Sequence, residues 1–124
     1  MTPKDVVIAY WKAMNSNDFT QASEWLAPEF QGHWVQSSEL IEGRDNFVAI
    51  NSQYPANGRW QFVIHSIVAE NNTVVTDVSI TDSVVNDRVI TFHTVEYDLI
   101  VKQVEYFPDN YPAPEWRSQW VKPL

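Results

Sequence analysis

From residue 60 to residue 107 the chain is built almost wholly from four runs rich in β-branched and aromatic residues, at 60–70, 73–81, 88–99 and 101–107. The breaks between them, chiefly Asn71-Asn72 and the polar stretch 82–87, are too short for a helical crossover. Successive runs must therefore turn back on one another as antiparallel strands. A meander of this kind has one apolar face to bury, and the first half of the chain has the residues to cover it.

Thr2, Pro3 and Asp5 form a helix start, after which Val7, Tyr10, Trp11 and Met14 recur at helical spacing until Asn15-Ser16-Asn17. Asp18 with Gln21 opens a second, shorter helix whose stripe of Ala22, Trp25 and Leu26 ends at Pro28. Alternation over 30–35 predicts a strand broken by polar 36–39. Gly43 then opens a third helix carrying Phe47, Val48 and Ile50, which stops before Pro55 and Asn57-Gly58. In the tail, Pro108, Pro112, Pro114 and Pro123 preclude regular helix, while Tyr111, Trp116 and Trp120 predict an aromatic clasp over the open end of the sheet. The whole, residues 1–124, reads as a single domain of α+β class: a cone-shaped curled sheet, mixed or antiparallel, wrapped on three N-terminal helices.

Composition narrows the partners. Eight Lys and Arg against sixteen Asp and Glu leave a formal charge of −8 with no basic run, which is the wrong field for a nucleic-acid backbone or an anionic membrane surface. A neutral or cationic small molecule is easier to accommodate. The absence of cysteine removes thiolate chemistry and disulfides. There is no Gly-rich phosphate loop, no Gly-x-Ser-x-Gly elbow and no closely spaced His and carboxylate motif, so no cofactor and no metal is expected. With no secretory signal or membrane-length apolar stretch, a soluble cytoplasmic protein is expected.

The run Val7-Ile8-Ala9-Tyr10-Trp11-Lys12-Ala13-Met14-Asn15-Ser16-Asn17-Asp18, the Glu42-Gly43-Arg44 opening of the third helix, the ending Val104-Glu105-Tyr106-Phe107 and the tail Tyr111-Pro112-Ala113-Pro114-Glu115-Trp116-Arg117 resemble the nuclear transport factor 2-like superfamily, in its SnoaL-like and ketosteroid isomerase-like branches. That resemblance implies a cystatin-like α+β barrel, often paired as a homodimer through the outer face of the sheet. It implies no one activity, since isomerases, cyclases, dehydratases, hydrolases and binders share the scaffold. Compared with the isomerases, Tyr10 stands where a catalytic tyrosine would, His93 where a donor acid would and Trp34 where the base would. Indole cannot abstract a proton, so steroid isomerase chemistry is not expected.

Strand parity places Thr91, His93, Val95 and Tyr97 on one face, and registration by the resemblance turns Asp77, Ser79 and Thr81, with Gln103, Glu105 and Phe107, toward the same cavity. His93, Asp77, Glu105 and Tyr10 are then the candidate catalytic groups. Trp34, Ser79, Gln103, Phe107 and Trp11 are candidate ligand contacts. Two carboxyls and an imidazole in a partly apolar cavity suit general acid–base catalysis of a cyclase, isomerase or dehydratase type. The same trio also suits a satisfied buried network inside a non-catalytic binder of a small hydrophobic molecule.

Overall fold

The computed structural model describes residues 1–124. Helix α1 spans Pro3–Asn15 and α2 Phe19–Ser23; strands β1 (Leu26–Trp34) and β2 (Glu39–Glu42) lead into α3 (Gly43–Gln53). Four strands follow, β3 (Gln61–Glu70), β4 (Thr73–Thr81), β5 (Asn86–Glu96) and β6 (Leu99–Tyr106), and a short 3-10 helix at Glu115–Trp120 lies in the tail. No helix is long and apolar enough to cross a membrane.

Local chemistry starts each helix. Thr2 Oγ1 accepts from the Asp5 amide at 3.1 Å while the Thr2 amide donates to Asp5 Oδ2 at 3.0 Å, a reciprocal capping box with Pro3 in the first turn. Asp18 caps α2 by accepting from the Gln21 amide at 3.0 Å. Between them Asn17, at φ 63°, ends the first helix, and its side chain clamps the backbone of Trp60 through bonds of 2.7 and 2.8 Å. That clamp fixes the helical pair against the start of β3.

The strands form one six-stranded sheet in the order β2-β1-β6-β5-β4-β3. Every pairing is antiparallel except the parallel contact of β1 with β6. The sheet curls around α1 and α3 but does not close, since β2 and β3 are free edges; the expected barrel is an open cone. Val7, Tyr10 and Met14 of α1 meet Phe30 of β1, Phe47 of α3 and Val78 and Val89 of the sheet in one core.

Four details depart from the sequence reading. Helix α2 stops at Ser23, and β1 begins at Leu26 and runs through Pro28. Pro28 is tolerated because it falls in the irregular interval of the β1–β6 ladder between Leu26 and Gln31, where its missing N–H breaks no bond. The four residues of β2 went unread because only Ile41 among them is buried. Strand β5 ends at Glu96: Tyr97 and Asp98 both take positive φ, 51° and 63°, as a tight two-residue hairpin requires. Tyr97 is thus 99% exposed and does not share the inward face of His93. Finally, the tail is no packed clasp. Its prolines hold the backbone extended, and Tyr111, Trp116 and Trp120 remain about three-quarters exposed.

Candidate functional site

Between the concave face of the sheet and the helices lies a cavity of about 360 Å³. Its floor is apolar and buried, with Tyr10, Phe30 and Phe47, while Tyr54, Asp87 and Asp109 stand exposed toward its mouth. Phe30 and Phe47 meet edge to face at 5.8 Å between ring centres. Gly32 lies under Phe30: a Cβ there would come within 3.2 Å of the ring, so the absent side chain is part of the cavity's shape. One wall is a series of perpendicular aromatic rings, Phe107 against Trp34 at 5.9 Å, Trp34 against Tyr54 at 6.4 Å, and Tyr54 against Trp60 at 6.1 Å.

Two separate hydrogen-bonded groups sit on the inner face. The first is centred on His93, which is completely buried and does not line the cavity. The Gln103 amide donates to Nδ1 at 3.0 Å, leaving the Nε2 proton to bond Thr76 Oγ1 at 2.9 Å, and the Trp11 indole N–H donates to the same hydroxyl oxygen at 3.2 Å. Rings of Tyr10 and Trp11 pack edgewise on the imidazole at 6.0 and 6.1 Å. With both nitrogens engaged and no charged partner, His93 is pushed down to about 3 by burial. It is a neutral post that ties β5 to β4, β6 and α1.

The second group is Glu105, at the cavity wall. The Trp34 indole N–H donates to Oε1 at 3.0 Å and the Thr91 hydroxyl to Oε2 at 2.7 Å, so the carboxyl is fixed in orientation. Burial raises its pKa, and these two hydrogen bonds only partly oppose that rise. The pKa of Tyr10 is also raised, first by burial and then by the field of Glu105. Tyr10 therefore remains a protonated donor at the cavity floor. Glu105, Gln103, Tyr10, Trp34, Phe107 and Trp11 all line the cavity.

Asp77 and Ser79 do not. The inward set on β4 is Val74, Thr76, Val78 and Ile80, so the expected register is off by one residue and the expected convergence of Asp77, His93 and Glu105 does not occur. Thr81 shares the outward parity. On the outer face Asp77 accepts from Arg88 at 2.9 Å, which holds its carboxyl below the usual range, and Ser79 bonds His65. Arg44 is also spent away from the cavity, donating to the Leu26 carbonyl at 2.7 Å. No three His, Asp or Glu side chains gather closely enough to hold a metal ion. The sequence reading missed Thr76, although a lone hydroxyl within an inward apolar series is the signal of a buried polar partner.

The two buried groups pull stability in opposite directions with pH. His93 has a lower pKa folded than unfolded, about 3 against 6.5, so the unfolded chain binds the extra proton and stability falls as pH drops below 6.5. The loss expected from this group by pH 5 is about 2 kcal/mol. Glu105, with its pKa raised, favours the fold below that pKa and opposes it above. Urea unfolding at pH 5 and 7 checks the first effect; a stability independent of pH over that interval in a Glu105→Gln background would contradict it.

A family model for the SnoaL-like domain matches residues 7–103. No curated protein matches the chain. Among solved structures, an NTF-2 like protein of unknown function from Burkholderia xenovorans LB400 is 28% identical, covering 98% of this chain and 94% of that one with a TM-score of 0.81. A proposed ketosteroid isomerase from Kribbella flavida DSM 17836 is 22% identical, with 98% and 89% covered and a TM-score of 0.90. An LEH-like epoxide hydrolase from M. tuberculosis is 18% identical, with 86% and 82% covered and a TM-score of 0.70. The last two likenesses establish the shared fold.

Proposed function

We propose that this chain, which belongs to the SnoaL-like domain family of the nuclear transport factor 2-like superfamily, takes a small, largely apolar organic molecule into its aromatic cavity and moves a proton to or from it through Glu105. The observation that carries this reading is the Glu105 carboxyl itself: it lines an apolar cavity, is oriented by Trp34 and Thr91, and has its pKa raised by burial. Raised carboxyl pKa values suit proton transfer near neutrality. Tyr10, kept protonated, supplies a donor for charge developing on a substrate oxygen. A carbon acid or carbonyl compound undergoing isomerisation, cyclisation or dehydration is the matching substrate class. His93 has no part in the chemistry, because neither ring nitrogen is free.

A second reading, a non-catalytic binder, is favoured by one feature: both oxygens of the Glu105 carboxyl already accept hydrogen bonds, from Trp34 and Thr91, as in a satisfied buried polar group. The two are separated by incubating the protein in deuterium oxide with a panel of small apolar ketones and enones, followed by mass spectrometry. Deuterium incorporation or conversion that is lost in Glu105→Gln is expected. Binding of panel members without exchange or conversion would leave the binder.

A further inference from the structure

The charged groups around the cavity are all of one sign. Glu39, Asp87, Glu105 and Asp109 line it, and no Lys, Arg or His does. The nearby cations are engaged elsewhere: Arg44 with a backbone carbonyl and Arg88 with Asp77 on the opposite face of the sheet. The imidazole of His93 bonds Gln103, lies outside the cavity lining and stays uncharged. An anionic ligand would find no cationic partner in the cavity lining, and a neutral one would leave this asymmetry unused.

The aromatic wall is the second, independent observation. Phe107, Trp34 and Tyr54 all line the cavity and stand at 82° and 77° to one another in succession, so their planes meet as near-right-angled corners. Trp34, the middle ring, is locked by its indole N–H on Glu105. A carboxylate therefore sits at the edge of the very ring that forms the corner. Ring faces carry negative quadrupole potential, and a corner of them beside a carboxylate is an environment that favours an organic ammonium.

We propose that the occupant of the cavity is an organic amine, protonated or quaternary, whose cationic head lies in the Phe107–Trp34–Tyr54 corner beside Glu105 and whose apolar body reaches toward Phe30 and Phe47. This rests on the cavity reading above and names the class of molecule it takes. A cation there also favours the ionised form of Glu105, which is the form that accepts a proton.

The test compares choline with its uncharged carbon isostere 3,3-dimethylbutan-1-ol, binding being followed by tryptophan fluorescence and ligand-observed NMR. Choline is expected to bind about tenfold or more tightly than the alcohol, as a desolvated cation–π contact with charge pairing implies. Glu105→Gln and, independently, Trp34→Leu are each expected to reduce that preference several-fold, read as the ratio of the two probes' affinities within each variant. Equal binding of the two probes would overturn the cationic assignment and leave the cavity reading standing; binding of neither would overturn both. A choline preference untouched by either substitution would also overturn the assignment, since the cation would then sit elsewhere.

Discussion

Glu105→Gln is expected to lower turnover of the chain's substrate by roughly 100- to 10,000-fold, the usual contribution of a positioned acid or base, with affinity for the same molecule reduced by no more than about tenfold. The fold should survive the change. Gln keeps the volume of Glu, its carbonyl can accept from the Trp34 indole in place of Oε1, and its amide can donate to the Thr91 oxygen in place of Oε2. Removing a carboxyl whose ionised form is disfavoured by burial also removes a penalty at neutral pH. The urea midpoint should accordingly be unchanged or higher. A variant that retains more than a tenth of parental turnover would place the chemistry on another group.

His93→Ala is expected to have the opposite profile: a loss of about 3–5 kcal/mol of stability and a much smaller effect on the rate per folded molecule. Truncating a wholly buried ring leaves a void, and it strips partners from the Gln103 amide and the Thr76 hydroxyl in a place water does not reach. At a urea sensitivity of about 2 kcal/mol per molar, such a loss moves the unfolding midpoint by about 2 M. The variant should also lose the acid sensitivity that the parent shows between pH 7 and pH 5. If His93 were instead the catalytic base, the stability change would be small and the rate would collapse.

The two substitutions expose why the sequence could be read so far and no further. Helix α1 and strand β5 were legible because each buries one face and says so in its period: Val7, Tyr10, Trp11 and Met14 on the helix, and Val89, Thr91, His93 and Val95 on the strand. Strand β4 was equally legible by that criterion, with Val74, Thr76, Val78 and Ile80 the apolar parity, but registration by resemblance selected the other one. A strand with one buried face permits only one register, and the parity holding Asp77 was the one that solvent and Arg88 could satisfy. Glu105 was found because β6 keeps the expected parity. Its partnership with Trp34 could not be read from spacing alone, since it depends on the parallel pairing of β1 with β6 across 71 residues of sequence. The edge strand β2 and the exposed tail carry too little burial to leave a periodic trace.

One titration separates Glu105 as the proton-active group from His93 as a neutral post: NMR of the parent protein, labelled at the Glu side-chain carboxyl carbons and the His ring nitrogens, followed from pH 3.5 to pH 8. The Glu105 carboxyl is expected to titrate with a midpoint above the ordinary 4.5, and the His93 ring to stay neutral in a single tautomer with its proton on Nε2 at every pH where the protein is folded. A Glu105 midpoint at or below 4.5, or a His93 ring that gains its proton near pH 6.5, would contradict that division of roles.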